Sequence, residues 1–202
     1  MAEPKLSPRQ KMIGMMYLFL TSMLALQVSN TVLNRFIFIN KSLEKQVLDT
    51  NISNGNIIVR ISDAVDERGN RDADQAILEK AKAIRAETQK IIKYTKDLKE
   101  EMVVITGGRD ETGQIVGIQD QDKVANLMIN KKKGLELKET LNDYAKLLSD
   151  QLGQEFPDIA MDGRNDPVFQ NDKEQKMKNF STLYFENTPT AAGLASVTQL
   201  ET

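Results

Sequence analysis

The stretch "SPRQKMIGMMYLFLTSMLALQVSNTVLNRF", residues 7–36, decides how the whole chain is read. Between Lys11 and Arg35 lie 23 residues without a formal charge, whereas charges recur every few positions elsewhere. At about 1.5 Å of rise per residue, such a helix covers about 35 Å, and a bilayer's hydrocarbon core is about 30 Å thick. Ile13, Met15, Met16, Leu18, Phe19, Leu20, Met23, Leu24, Leu26 and Val28 fill it with few polar interruptions. The pattern predicts one transmembrane helix over 12–35. Lys5, Arg9, Lys11 and the amino terminus precede it against a single acid, Glu3. Basic flanks stay on the cytoplasmic side. Residues 1–11 are therefore expected in the cytoplasm and everything beyond about 36 outside it. A cleaved export signal would have a shorter apolar run and small residues before the cut, and "MLALQVSN" has no clean A-x-A. A buried soluble helix would need apolar sequence elsewhere to wrap it, which the chain lacks.

The stretch has a face. Gly14, Tyr17, Thr21 and Ala25 follow 3-4-4 spacing, with Ser22 and Ser29 beside them. Small and hydroxyl residues along one stripe admit a second helix at close range. The competing reading of Tyr17 is a membrane-interface residue. No Asp or Glu lies within the span, so this chain carries no protonatable carboxylate at mid-membrane. An ion-driven complex would have to take that carboxylate from a partner, with Arg9 as its counter-charge. Arg9 otherwise serves only to set topology.

Composition removes several function classes. With 27 basic and 29 acidic residues there is no electrostatic case for nucleic acid, and 5% aromatics leave little for base stacking. The chain has no cysteine and no histidine. That excludes a thiol nucleophile, a Ser-His triad and any His- or Cys-held zinc or iron. No enzyme activity, catalytic residue, cofactor or metal is expected. The glycine-rich residues 106–117 lack the P-loop and dinucleotide spacings, so Gly107 and Gly108 read as a helix C-cap and turn. Asp162, Asn165, Asp166 and Asp172 lack calcium-loop spacing and read as a solvated loop.

Beyond Arg35 the chain reads as amphipathic helices. Phe36, Ile39, Leu43 and Val47 continue the first helix, "NISNGN" at 51–56 is a weak point or kink, and "DERGNRDAD" at 66–74 is a turn. Ile77, Ile84, Ile91, Leu98 and Ile105 recur every seven residues, with Ala81, Thr88, Thr95 and Met102 as second seam. This predicts a long helix packed antiparallel on the preceding one. Further helices are expected at 120–129, at 131–153 with Leu137, Leu141, Tyr144 and Leu148 inward, and at 173–185. A last one begins with Thr188 as N-cap and Pro189 at its first position and still runs at Thr202. The fold class is all-α: one membrane helix, then a helical-bundle domain over 36–190, with 191–202 starting a connecting helix of a longer protein.

Three segments carry a family resemblance. "SPRQKMI", "MYL" and "MLAL", followed by Val32 and Leu33, resemble the N-terminus of the GldM/PorM family, the motor subunits of gliding motility and type IX secretion. "GGRDETGQIVGIQDQDKVANLMINKKKGLELKETL" at 107–141 and "FENTPTAAGLASVTQL" at 185–200 are similar to two further family stretches, although Gly193 stands where the family often has a bulkier residue. The resemblance implies a homodimer in the bacterial inner membrane with its C-terminal part in the periplasm. It implies a two-span partner, GldL or PorL, forming a pentameric ring around the paired membrane helices and supplying the intramembrane glutamate. Proton flow through that complex would move the periplasmic part, which would reach outer-membrane secretion components through further domains. Arg9 and Tyr17 become expected contacts near that glutamate. The competing readings are a passive scaffold or anchor and a periplasmic sensor; only about eleven residues precede the span, which leaves no room for a cytoplasmic signalling domain.

Overall fold

The computed structural model describes residues 7–202, with the side chains of 24–30 outside that description. Every described element is helical, apart from a single bridge between Arg109 and Ile115 that closes a turn. Helix α1, Pro8–Glu67, begins at a capping box: the Gln10 N–H donates to Ser7 Oγ at 3.3 Å, the Ser7 N–H donates to Gln10 Oε1 at 3.0 Å, and Pro8 sits at the first helical position. The kink expected at 51–56 does not form. Gly55 and the neighbouring asparagines stay within α1, held where Arg85 of the next helix donates to the Asn51 carbonyl at 2.8 Å. Tertiary contact overrides the weak local helix propensity there.

Gly69 (φ +77°) and Asn70 (φ +55°) make the turn into α2, Asp72–Ile105. Two positive-φ residues in succession reverse the chain at a site where glycine and asparagine are the least strained choices. The heptad stripe on α2 is buried unevenly. Thr95, Leu98 and Met102 are buried and Ile84 and Ile91 half-buried, but Ile77 is 59% exposed and its neighbour Leu78 takes the inward place. A narrow stripe suffices where α2 has several neighbours, and the far end has only α1 to lie on.

After the glycine turn at 107–108 come α3 (Asp122–Ala125), a π-helical turn (Asn126–Asn130), α4 (Lys133–Leu152), α5 (Phe180–Phe185) and α6 (Thr190–Gln199). In α4, Leu137 and Leu141 are buried, Tyr144 and Leu148 half-buried, and Gly153 closes it in the left-handed conformation (φ +66°). The helix expected over 173–185 is broken. Gln175–Met177 is one 3-10 turn, Lys178 is extended, and Asn179 caps the short α5 by accepting from the Thr182 N–H. The acidic loop is not simply solvated either. Asp166 is buried and accepts from Tyr184 Oη at 3.1 Å and from the Val168 N–H. Asp162 accepts from Lys138 Nζ and from the Phe180 N–H, both at 2.8 Å.

The core gathers Leu98, Met102, Val124, Leu127, Leu137, Leu141, Phe180, Phe185, Leu194 and Val197 from every helix but α1. Helix α6 starts one residue later than its sequence signals indicate, with Pro189 as N-cap, and it ends at Gln199 rather than running on to Thr202. It was expected to begin a connecting segment from residue 191; Thr190, Ala191, Ala192, Leu194, Ala195, Val197 and Thr198 are buried in the bundle. Its free N–H groups are met by the chain before α3: Thr190 N–H donates to the Asp120 carbonyl and Ala191 N–H to the Ile118 carbonyl.

Candidate functional site

Two regions of α1 position the candidate residues. From Ser7 to Met23 every described side chain is exposed, including Met12, Met15, Met16, Leu18 and Phe19. From Leu33, the first buried residue among those described, to Val65 the same helix lies on the bundle. Among the described residues, no helix is long and apolar enough to cross a membrane; the described side chains of the apolar stretch end at Met23.

Arg9 stands in the first turn of α1, exposed, between the two residues of the capping box, Ser7 and Gln10. Gly14 has open space where a side chain would project, and Tyr17 is 66% exposed. Thr21 Oγ1 donates back to the Tyr17 carbonyl at 2.8 Å, so its hydroxyl offers a neighbour an acceptor rather than a donor. Ala25 is on the helix, with its side chain outside the described residues. At 3.6 residues per turn, Gly14, Tyr17, Thr21 and Ala25 share an arc of about 80°, whereas Arg9 lies about 80° from Tyr17 and about 140° from Gly14. The small-residue face and the cation therefore address different neighbours, or one neighbour wide enough to reach both.

The packed half of α1 holds a second constellation, which sequence reasoning missed. Thr198 Oγ1 of α6 donates to Asn40 Oδ1 of α1 at 2.8 Å. Lys99 Nζ of α2 donates to Thr198 Oγ1 at 3.3 Å and to Glu201 Oε2 at 2.8 Å. The Lys99 and Glu201 side chains are only 15% and 4% exposed. Four polar groups, from α1, α2, α6 and the turn after α6, thus form one chain inside the bundle. Lys99 and Glu201 each read as an ordinary solvated charge, and no local pattern joins positions 158 residues apart.

At the loop beneath α5, two groups with shifted titration are structural. Burial works to raise the Asp162 carboxyl, but the Lys138 hydrogen bond, the Phe180 N–H and the Lys138 charge outweigh it and hold the group below its ordinary value. Burial, the Asp166 charge and the hydrogen bond to it push the Tyr184 phenol up to about 12. Among the described residues, no group of three or more Asp or Glu is placed to hold a metal ion.

The family model described as the GldM N-terminal domain matches residues 31–202, which include the whole bundle. No curated protein matches the chain. The helical bundle that grips α1 from Leu33 onward is the matched region, and the chain belongs to the GldM N-terminal domain family.

Proposed function

We propose that this chain is a single-span inner-membrane subunit of a proton-driven motor, and that α1 carries movement from the membrane into the periplasmic bundle. Family membership associates it with gliding motility and type IX secretion, in a membrane complex with GldL-like partners. The observation that carries the motor reading is the continuity of α1. One helix runs unbroken from the exposed apolar segment, past Leu33, to Val65 on the bundle. A 60-residue helix is about 90 Å long and resists bending, so displacement at one end reaches the other.

On this reading residues 1–11 are cytoplasmic, 12–35 cross the membrane, and the periplasmic domain begins near 36. Two copies pair, and their membrane helices sit inside a five-membered ring of the two-span partner. A two-fold axle in a five-fold ring leaves contacts unsatisfied at every angle, so each relieved mismatch creates another and the axle steps round. The face of Gly14, Tyr17, Thr21 and Ala25 packs on partner helices, and Arg9 meets the charge of the partner's acid. The exposed described side chains at 12–23 support this reading, because a water-facing helix of Met, Leu and Phe has no stable solvent other than lipid or another apolar helix.

Arg9→Ala and Tyr17→Phe are expected to leave membrane insertion intact and lower type IX secretion. Replacement of residues 12–28 by leucines that restored full secretion would instead establish a passive anchor. Purification in mild detergent is expected to bring down a small two-span protein with an intramembrane glutamate; isolation of a lone dimer would count against the motor.

A further inference from the structure

The upper packed part of α1 does not lie against α2. A cavity of about 740 Å³ separates Ile37, Lys41 and Leu48 of α1 from Ile92, Lys96 and Val103 of α2. Farther along, Arg85 of α2 holds the Asn51 carbonyl of α1 at 2.8 Å, and the two helices are joined at the turn after Glu67. Across the gap, α1 is held by α6, the element it touches most. The directional part of that hold is the chain Asn40–Thr198–Lys99–Glu201. A helix tied to α2 near Asn51, exposed over residues 7–23, spaced from α2 by a cavity and packed on α6 with a polar chain at that contact has the geometry of a latched lever.

We propose that Asn40, Thr198, Lys99 and Glu201 form a latch that sets the angle between α1 and α2, and that its release lets α1 swing about its Asn51 end into the cavity. The hydrogen bonds fix position along α1, which small apolar side chains such as Ala191 and Ala195 do not. The wall of the cavity includes Asn40, Lys99 and Glu201 but not the fully buried Thr198, so on release water from the cavity takes over the Asn40 amide while the apolar core of α2, α4 and α5 stays closed. The Lys99–Glu201 pair is costlier to separate, because each charge is mostly removed from water, and it keeps α6 on α2 as α1 moves. The inference rests on α1 being the moving element.

The chain has no cysteine, so introduced ones take a label without background. Lys41→Cys and Lys96→Cys place spin labels on opposite walls of the cavity in the full chain, purified with its membrane partner in lipid. Thr198→Val is expected to shift the label–label distance to shorter values and broaden its distribution, while Thr198→Ser keeps the wild-type distribution. An unchanged distribution in Thr198→Val overturns the latch. Should that variant lose helix content, Asn40→Ala, at a half-buried position, makes the same test. Secretion measured alongside separates the two proposals. A shifted distance with secretion lost supports both; a shifted distance with secretion unchanged leaves the latch standing and counts against the motor.

Discussion

Residues 12–23 of α1 and the short helix α6 are both free of charge and rich in apolar side chains, yet one is exposed throughout and the other is among the most buried segments of the molecule. The difference lies in side-chain size and in what surrounds each helix. Helix α6 is built from Ala, Gly, Ser and Thr around Leu194 and Val197, so three neighbours approach its backbone closely. A Cβ on Gly193 would stand 3.0 Å from Met102 Cε and 3.2 Å from Val124 Cγ1. That closeness accounts for glycine at this position. Residues 12–23 carry exposed Met, Leu and Phe over most of the helix surface, beside the narrower face of Gly14, Tyr17 and Thr21. Apolar sequence alone does not say whether a helix is buried in the bundle; side-chain size along the helix separates α6 from residues 12–23.

The comparison breaks most sharply at the floor of α6. Phe185 is fully buried near Gly193. Phe185→Ala is expected to destabilise the bundle by about 3–5 kcal/mol, read from denaturant unfolding of the full chain followed by circular dichroism. A loss near zero would mean that α6 is not packed as described.

Gly193→Val tests the approach itself. The added atoms have no room without displacing Met102 and Val124, so a cost of about 1–3 kcal/mol is expected. Equal stability of the valine variant would show that α6 sits looser than its contacts indicate.

The loop beneath α5 sets a smaller, pH-dependent effect. The folded Asp162 carboxyl lies below its ordinary 3.8, so its contribution is present above that pH and fades as pH falls through the lowered value. Asp162→Asn is expected to reduce stability at neutral pH and to flatten the acid side of a stability–pH curve. An acid limb identical to wild type would remove Asp162 from the anchor of α5.

The smallest effect is expected at the other pole. Leu18→Ala removes a large apolar side chain that touches nothing in the described bundle, so bundle stability is expected to change by less than about 0.5 kcal/mol. A change as large as that of Phe185→Ala would show that residues 12–23 fold back onto the bundle.

Much of this was legible in the chain. The seven-residue stripe on α2 announced a long helix, "DERGNRDAD" marked the reversal, and Gly107, Gly108 and Gly153 marked helix ends where the structure has them. Three of the readings that failed did so for reasons visible in particular contacts. The weak helix formers at 51–56 were outvoted by Arg85, which lies 34 residues away. The helical pattern at 173–185 was interrupted because Asn179 caps α5 and Asp162 takes the Phe180 N–H. Ile77 holds a seam position and is exposed, because periodicity tells which side of a helix is apolar and not how far along it a neighbour extends.

The candidate site divides in the same way. Arg9, Gly14, Tyr17, Thr21 and Ala25 are candidates that charge and spacing alone can nominate, because they lie within five helical turns of one another and local geometry follows from local order. By itself, the sequence determined the helical class, the unbroken apolar start and the absence of cysteine and histidine chemistry. Only the tertiary structure decided that α6 belongs to the bundle, that α1 is held across a cavity, and that Asn40, Lys99, Thr198 and Glu201 meet. Those contacts join residues up to 158 positions apart, and helix periodicity has no term that depends on such separations.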